Sequence, residues 1–481
     1  MSRRQLFGLL TPGDVEFMLD KALQFLDEKG VIVEHEGLRR TLASAGARVD
    51  AATEIVRFPT PLVEECLARV PETFVLAGRD PEDDLVLPHP TDGFYFRTNT
   101  GATRYLDPAT REMRPVTLDD IRSWGRLVDR LENVSFAAFG SPVDAPSETA
   151  DVHALRALLE GTRKHVWVQP YSEGSLRYLA ELVVAAAGGG DQLRCRPRAS
   201  FIVNALTPFQ FKSVDAEAMI KACELGLPVH ACSLPSAGGT APVTDIGTCF
   251  VMGVEILAIL VMSQVLSPGH PVVGAPIAFA MDMMTGGVGQ SSPESIRSAA
   301  AAVQFVASAF GVPTHTYGTG SDSPVFDGQV LMEGCVLGSA VASAGADILG
   351  GGGQFEAASS ISPLKLIADD EMAAMLNRLV QGSVVNEENL AWQMLLDIPH
   401  GGTYLDADHT FLHCRDAWRP RLFVRQSQDV WLSRGAKNFQ ARLEERYEEL
   451  MSEPAARPLP PGASAQLEEV VRYADAHLVA D

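Results

Sequence analysis

The chain is predicted to be an α/β protein built on a TIM (β/α)8 barrel, and two observations support this prediction. Seven short apolar runs, typical of buried parallel strands, begin near residues 134, 165, 201, 228, 271, 313 and 346. Helical patterns lie between them, so strand and helix alternate over about 250 residues. An eighth strand is expected near 382, in the segment GSVVN. A doubly wound open sheet is the alternative arrangement.

The chain divides into four predicted segments. Residues 1–115 combine two helical patterns with short strands and turns, which predicts an N-terminal α+β cap. Residues 116–390 carry the alternation and form the predicted barrel domain. Residues 391–452 are polar and helical and are expected to form a C-terminal extension, and residues 453–481 join a Pro-rich linker to a terminal helix.

Charge excludes two classes of partner. The chain has 39 Lys and Arg against 61 Asp and Glu, a formal net charge of −22. Nucleic acids and anionic membranes attract basic surfaces, so neither is an expected partner.

Cysteine usage and the N-terminus both predict a cytoplasmic protein. The seven cysteines are scattered and contain no CxxC pair, which fits a reducing compartment. Arg3 and Arg4 resemble an export signal, but Pro12 and Asp14 interrupt the apolar stretch that such a signal requires. The long apolar stretch from Phe250 is interpreted as a buried helix, because it contains Glu255 and is short for a bilayer.

Barrel active sites lie at the C-terminal ends of the strands, which places a defined set of residues at the predicted mouth. The set includes Gln169, Tyr171, Asn204, His315, Tyr317, Asp322, Gly350, Gly351, Gly352, Gly353, Gln354 and Glu356. Only Asp322 and Glu356 are carboxylates, so the set is poor in acid–base groups and rich in small residues. Small residues at the mouth indicate that a large flat cofactor or a partner approaches there.

The glycine run and the histidines each allow a second hypothesis. Gly350–Gly353 could form a phosphate loop, but the lysine of a Walker motif is absent and the dinucleotide pattern matches poorly. His409, His413 and Cys414 have helical spacing for a metal, yet they lie outside the barrel and are interpreted as structural, with no tightly bound metal expected. His230 is interpreted as a core residue.

Several long segments resemble the trimethylamine methyltransferase family. They include GVIVEHEGLRRTLASAGARVD, LPSAGGTAPVTDIGTCFVMGVEILAILVMSQVLSPGHPVV, SPESIRSAAAAVQFVASAFGVP, SAGADILGGGGQFEAASSISPLKLIADDEMAAMLNRLVQG and YLDADHTFLHCRDAWRPRLFVRQS. The resemblance runs from about residue 15 to the Pro-rich tail, in the order of the chain.

The resemblance implies a TIM barrel that moves a methyl group from a methylated amine to Co(I) of a corrinoid (cobalamin) on a separate protein. The founding archaeal enzymes of this methanogenesis-related family carry pyrrolysine and use trimethylamine, whereas this sequence has no such residue. The resemblance therefore implies a quaternary amine such as glycine betaine, proline betaine or carnitine, and a homo-oligomer. A trimethylamine-type enzyme and a non-catalytic binder of methylated amines are the alternatives.

The resemblance also implies roles for single residues. Tyr95, Phe96, Trp167 and Tyr171 are expected to contact the ammonium group by cation–π attraction, while Gln169, Asn204, His315 and Tyr317 are expected to hold the polar tail of the substrate. Asp322 and Glu356 are expected to place negative charge near the cation, as the catalytic carboxylates. Gly350–Gly353 and Gln354 are expected to border the approach of the corrinoid.

Two departures from the family pattern bear on substrate and cofactor. The segment SDSPVFDGQ has Pro324 where relatives have Lys, and Phe326 where they have Pro, which predicts a shift away from a simple carboxylated betaine. The corrinoid-binding pattern DxHxxG is missing, so the corrinoid is expected on a partner protein.

Overall fold

The computed structural model describes residues 6–452 and 459–479 and has eight parallel strands arranged as a barrel. They are β1 (Tyr95–Thr98), β2 (Val134–Ala137), β3 (His165–Val168), β4 (Ala199–Asn204), β5 (Val229–Ser233), β6 (Val272–Pro276), β7 (His315–Tyr317) and β8 (Ile348–Gly352). Each strand pairs with its sequence neighbours, β1 pairs with β8, and a bridge between Gly274 and Thr314 joins β6 to β7. The predicted TIM barrel is confirmed.

A helix follows each strand, and a second, short helix, Gly190–Cys195, lies between the third of them and β4. The helices that follow the strands are α1 (Leu118–Arg130), α2 (Ala150–Gly161), α3 (Glu173–Ala187), α4 (Ser213–Leu225), α5 (Asp245–Leu266), α6 (Pro293–Phe310), α7 (Gly328–Ser343) and α8 (Pro363–Val380). Hydroxyl side chains cap several helix starts, among them Thr117, Ser172, Thr244, Ser292 and Ser362. These short polar residues explain why those helices begin where their loops end.

The predicted position of the eighth strand was wrong. Residues 382–386 are irregular and exposed, with Val385 91% exposed. The missing strand is Tyr95–Thr98, inside the segment predicted as cap, so the barrel begins before residue 116. The strand was not recognised because it is short and carries Arg97 at a position where buried strands usually have an apolar residue.

The N-terminal elements form a cap that shares a sheet with the barrel. They are the helices Pro12–Glu28, Glu36–Ser44 and Thr60–Leu67, the 3-10 turn Pro81–Asp83, and the strands Val31–Val33, Arg48–Asp50, Ile55–Arg57, Phe74–Leu76 and Leu85–Leu87. Strand Val31–Val33 pairs with Gln210–Phe211, which lies in the loop after β4. Cap and barrel are therefore joined by backbone hydrogen bonds.

Two small sheets cover the C-terminal ends of the barrel strands. One contains Ser236–Ala237, Phe279–Met281 and Val288–Gly289, from the loops after β5 and β6. The other joins Arg104–Leu106 and Met113–Pro115, which follow β1, to Gln354–Phe355 and Ser360–Ile361, which follow β8. The loops around the barrel mouth are thus tied to one another.

The C-terminal extension is helical, with the helices Glu387–Leu390, Trp392–Asp397, Asp408–His413, Gln428–Ser433, Phe439–Ser452 and Ala463–Leu478. The last helix packs on α2 and α3, and Thr149 Oγ1 donates a hydrogen bond to Asp475 at 2.6 Å. Residues 453–458 of the predicted Pro-rich linker, and Arg3 and Arg4 of the N-terminus, lie outside the described residues.

Helix α5 is long and apolar enough to cross a bilayer by length and composition. However, 83% of its most apolar window is buried inside the protein, where it packs against α6 and strands β5 and β6. This agrees with the interpretation of the stretch from Phe250 as a buried helix.

Candidate functional site in the barrel interior

Four buried side chains from alternate strands form one layer inside the barrel. Arg97 lies on β1, Trp167 on β3, His230 on β5 and His315 on β7, and none is more than 1% exposed. Layers of four side chains from alternate strands fill most TIM barrels, but branched aliphatic residues usually form them. In this chain the layer is charged and aromatic, and we call these four residues the polar layer.

The guanidinium of Arg97 is fixed by three contacts. Its Nε donates a hydrogen bond to His315 Nε2 at 2.8 Å, and Nη1 donates one to the Thr98 carbonyl at 2.6 Å. Its Cζ lies 3.4 Å from the centroid of the Trp167 ring, a distance at which cation–π attraction is strong. The rings of Trp167 and His230 are 5.2 Å apart, which completes a continuous stack.

Gly350 on β8 leaves the space that Arg97 occupies. A Cβ at this position would lie 2.7 Å from His315 Nε2 and 3.0 Å from Arg97 Cζ. Contacts this short require the neighbours to move, so a side chain at residue 350 is incompatible with the observed hydrogen bond.

Arg97 carries a positive charge that no carboxylate neutralises among the described residues. Burial lowers the pKa of Arg97 to about 9, and nearby Tyr317 and Cys232 oppose that change. The group therefore stays protonated at neutral pH. Burial and the charge of Arg97 also lower the pKa of His230 and of His315 well below the usual histidine range, so both imidazoles are neutral.

The polar layer contains an unusual number of unpaired polar atoms. Arg97 Nη2, Trp167 Nε1, His315 Nδ1 and both ring nitrogens of His230 are buried and have no hydrogen-bond partner among the described residues. Because His315 Nε2 accepts from Arg97, the proton of its neutral ring lies on Nδ1, which is then a donor. Buried polar groups are nearly always paired, so this concentration of free donors indicates a binding site for an acceptor group.

A row of amide side chains comes from the loops that follow β1, β6 and β8. Asn99 Nδ2 donates to Gln354 Oε1 at 2.6 Å, and Gln354 Nε2 donates to Gln290 Oε1 at 3.1 Å. The Nε2 of Gln290 is buried without a partner. Thr100 Oγ1 donates to Gln169 Oε1 at 3.2 Å. Neutral hydrogen-bonding groups thus line the mouth side of the polar layer.

The two predicted carboxylates hold loops. Asp322 accepts hydrogen bonds from the backbone N–H groups of Gln290 and Ser291, at 2.8 and 2.9 Å, and burial raises its pKa. Glu356 forms an ion pair with Arg104 at 2.8 Å. Neither contact involves the polar layer, so we assign both side chains to positioning the loops that border it.

The aromatic residues predicted to bind substrate do not all lie together. Trp167 belongs to the polar layer, and Tyr317 lies beside it on the mouth side, with its ring 5.8 Å from Arg97 Cζ. Tyr95 begins β1 at the opposite end of the barrel, where its hydroxyl accepts from the Val86 N–H at 3.2 Å. Phe96 faces α8, because successive side chains on a strand alternate and Arg97 points inward.

The other predicted polar contacts lie around the mouth. Tyr171 is 39% exposed and its hydroxyl accepts a hydrogen bond from Ser141 Oγ at 2.9 Å. Asn204 ends β4, and its backbone N–H donates to Asp215 at 2.8 Å. Both residues are on βα loops or strand ends and are separate from the contacts of Arg97.

Gly350–Gly353 are buried, so the expected open rim is not found in this structure. Gly351 and Gly353 have left-handed φ angles of +90° and +80°, which glycine adopts without strain. A Cβ at Gly351 would lie 2.5 Å from the Gln354 amide, and one at Gly353 would lie 2.4 Å from the Trp124 ring. The run allows the chain to pack closely against its own side chains.

A strained turn follows the glycine run. Glu356, Ala357 and Ala358 have φ angles of +53°, +49° and +74°, and residues other than glycine rarely adopt these values. Hydrogen bonds hold the turn, including Asn99 Nδ2 to the Ala358 carbonyl at 3.3 Å. Strained backbone of this kind concentrates at functional sites.

His409 and His413 lie on the short helix Asp408–His413 of the C-terminal extension, and each contacts other residues of that extension. The two rings are 4.4 Å apart, His409 Nε2 lies 3.0 Å from the Glu388 carbonyl, and His413 Nδ1 lies 2.8 Å from Asp416. Over residues 6–452 and 459–479, no group of three or more His, Cys, Asp or Glu side chains is arranged to hold a metal ion.

Sequence reasoning missed Arg97 as a site residue and treated His230 as core. A usable pattern was present, because Arg97, Trp167, His230 and His315 all lie at inward positions of odd-numbered strands. A charged or ring-nitrogen residue in the middle of an otherwise apolar strand predicts an inward polar group. The first strand had to be recognised before this pattern became visible.

Comparisons with known proteins place the chain in one family. The model of a family described as trimethylamine methyltransferase (MTTB) matches residues 2–478. The trimethylamine methyltransferase MttB of Desulfitobacterium hafniense (strain DSM 10664 / DCB-2) is 31% identical over 477 residues, which covers 98% of this chain and 95% of the relative. The glycine betaine methyltransferase of Desulfitobacterium hafniense (strain Y51) is 25% identical, covering 97% of this chain and 96% of the relative.

A solved structure shares the fold. The crystal structure of the monomethylamine methyltransferase MtmB of Methanosarcina barkeri aligns with a TM-score of 0.53 at 12% identity and covers 99% of this chain and 90% of that chain. At this identity the likeness concerns the fold alone.

Proposed function

The chain belongs to the trimethylamine methyltransferase family of corrinoid-dependent methyltransferases, and on that premise we propose that it demethylates a quaternary amine. The methyl acceptor is Co(I) of a corrinoid carried by a separate protein. The relatives are named for two kinds of substrate, trimethylamine and glycine betaine. The sequence contains no pyrrolysine, which supports a quaternary amine such as glycine betaine, proline betaine or carnitine.

The observation that carries this proposal is that the described part of the site offers neither an imidazolium nor an unoccupied carboxyl group to protonate a leaving amine. His230 and His315 are neutral, and Asp322 and Glu356 are occupied with loop contacts. Co(I) supplies a strong nucleophile, so the protein need not activate one. When the methyl carbon–nitrogen bond of a quaternary ammonium breaks, the electron pair goes to nitrogen and a neutral amine leaves without taking a proton.

The work left to the protein is positioning and exclusion of water. Orientation of two reactants can contribute several orders of magnitude in rate, and it requires a rigid pocket. The stacked and hydrogen-bonded polar layer provides this rigidity, since Arg97, Trp167 and His315 restrict one another.

Exposed apolar side chains on the mouth loops support docking of a corrinoid protein. They belong to the loops after β2 and after β4 to β7 and comprise Val143, Leu206, Val243, Met283, Met284, Val288 and Val325, each between 43% and 94% exposed. Apolar side chains that gather on one face typically mark a protein interface. The C-terminal face is also where the substrate would be reached.

The C-terminal extension supports self-association, and the cysteines support a cytoplasmic location. Val385, Leu405 and Phe411 are 91%, 87% and 77% exposed, which predicts that a second copy of the chain covers this surface. All seven cysteines are unpaired, as a reducing compartment requires.

Methyl transfer is tested directly by incubating the protein with reduced cobalamin and a panel of quaternary amines that also includes trimethylamine. Loss of the Co(I) absorbance with at least one quaternary amine is expected. Turnover of trimethylamine alone would assign the chain to the trimethylamine-type alternative. Binding of an amine without methyl transfer to any corrinoid would establish the non-catalytic alternative.

The docking surface is tested by Met284→Asp, since Met284 is 94% exposed on the loop after β6. The substitution should slow transfer to a protein-bound corrinoid and leave transfer to free cobalamin unchanged. Leu379→Asp is the matched control, because Leu379 is 59% exposed near the end of α8, at the other end of the barrel. Equal slowing with both acceptors, or by both variants, would contradict the assigned surface.

A further inference from the structure

We propose that Arg97 and the ring N–H groups beside it bind the carboxylate of a zwitterionic quaternary amine, so that the enzyme selects amines with an anionic tail. This inference rests on the proposed function for the cationic end of the substrate. It goes beyond that function in naming the tail, the residues that bind it and the direction in which the substrate enters the barrel.

Arg97 carries a buried charge that an anionic group would neutralise. The guanidinium of Arg97 is fully buried in a barrel interior where no described carboxylate pairs with it. An isolated buried charge is unfavourable unless an opposite charge or several hydrogen bonds compensate it. A simple cation such as tetramethylammonium would bring a second positive charge to this place. A zwitterion would bring a negative charge to Arg97 and keep its positive charge further out.

The unpaired donors beside Arg97 match the acceptors of a carboxylate. Arg97 Nη2 and Trp167 Nε1 are unpaired donors that lie on stacked groups, with Arg97 Cζ 3.4 Å from the indole centroid. The His230 ring stacks on the Trp167 ring at 5.2 Å. Both ring nitrogens of His230 are unpaired, and one of them carries a proton. An ionised carboxylate has about four acceptor positions, and a charged arginine is its preferred partner.

Aromatic rings on the mouth side of Arg97 orient the substrate along the barrel. Tyr317 lies two residues beyond His315 on β7, about 7 Å nearer the mouth at the usual strand rise. Its ring is 5.8 Å from Arg97 Cζ and makes an edge contact with Phe279 at 6.4 Å. With the carboxylate on Arg97, the ammonium group comes to these two rings by cation–π attraction. Its methyl groups then face the end of the barrel where the acceptor arrives.

Arg97 supplies a cation that the loop after β7 lacks. Pro324 replaces a lysine of the family pattern, which predicted a shift away from carboxylated substrates. The structure has a cation deeper in the barrel than that loop. We therefore infer that a carboxylated substrate is retained.

The experiment separates the tail from the chemistry by using a ligand that cannot react. The probe is 3,3-dimethylbutanoate, in which carbon replaces the nitrogen of glycine betaine, and its partner is 3,3-dimethylbutan-1-ol, which lacks the carboxylate. Isothermal titration calorimetry on the full-length protein should give an affinity at least about tenfold higher for the carboxylate. Equal affinities for the two compounds would overturn the inference without any variant.

Two variants locate the effect. Arg97→Gln should remove the preference for the carboxylate, and Trp167→Phe, which keeps the ring but loses its N–H, should reduce it. Arg177→Gln is the matched control, because Arg177 is an exposed arginine on α3 that pairs with Glu181. If Arg97→Gln does not fold, Trp167→Phe and the parent protein still decide the matter. Unchanged carboxylate affinity in a folded Arg97→Gln variant would refute the assignment.

Failure of this inference and failure of the proposed function give different results. If no quaternary amine yields methyl transfer while 3,3-dimethylbutanoate binds selectively, the anion site stands and the proposed function is wrong. If choline or tetramethylammonium is demethylated as efficiently as glycine betaine, the methyltransferase stands and the carboxylate site is wrong.

Discussion

Gly350→Ala is a direct test of how the polar layer is packed. The change adds one carbon, and that carbon would lie 2.7 Å from His315 Nε2, 3.0 Å from Arg97 Cζ and 3.0 Å from Arg97 Nε. Those atoms belong to the pair that forms the 2.8 Å hydrogen bond between Arg97 and His315. Arg97 must therefore tilt away from β8, which breaks the bond and separates the guanidinium from the Trp167 ring.

The size of the effect follows from two overlapping costs. Overpacking a dense core destabilises a protein by about 1–3 kcal/mol. Loss of a hydrogen bond to a charged group costs about 1.5–3 kcal/mol. Because one displacement causes both, we expect the free energy of unfolding to fall by about 2–4 kcal/mol rather than by the sum.

Urea unfolding followed by circular dichroism measures this difference. Gly328→Ala is the control, since Gly328 is the first residue of α7 and a Cβ there meets nothing within 4 Å. The control should stay within about 0.5 kcal/mol of the parent protein. If Gly350→Ala is as stable as the control and binds 3,3-dimethylbutanoate equally well, the packing argument is refuted.

Three further substitutions address the core, pH dependence and the loops. Asp369→Asn removes the negative charge 2.7 Å from the buried ammonium of Lys365 and should cost about 3–5 kcal/mol in urea unfolding, most of it recovered when Lys365→Met is added. Burial raises the pKa of Asp215 from 3.8 to about 6, so the folded state holds its proton longer and stability declines as pH rises through that window. Asp215→Asn should abolish this decline, and an unchanged profile would contradict it. Glu356→Gln should slow methyl transfer by less than about tenfold, because Glu356 pairs with Arg104, whereas a loss near a thousandfold would restore its predicted catalytic role.

The barrel could be predicted from sequence because its strands and helices have distinct periodicities. Seven of the eight strands are apolar runs bounded by helices, and the capping hydroxyls before α3, α5 and α6 follow ordinary rules. The first strand could not be recognised in the same way. It belongs to the barrel because it pairs with β8, which is far away in sequence, and Arg97 interrupts its apolar pattern.

The site was predicted only in part, because position at a strand end does not specify direction. His315 and Tyr317 were selected as strand-end residues and Trp167 as an aromatic contact for the ammonium group, and the three do lie together. Tyr95 and Phe96 were selected from the same composition, but one begins its strand and the other faces α8. The glycine run was assigned to an open rim because sequence does not show that side chains from other strands cover it.

Strands near the N-terminus pair with strands much later in the chain, so the sheets are completed late in translation. The sheet of the cap receives its fourth strand from Gln210–Phe211, and Tyr95 pairs with Ile348. A nascent chain that leaves the ribosome therefore carries an incomplete cap while the residues from Arg57 to Gln210 are translated, and its barrel stays open until β8 emerges. Non-local pairing of this kind slows folding and leaves apolar surface exposed in the meantime. Expression at lower temperature or with added chaperones should raise the soluble yield more than any change at the termini.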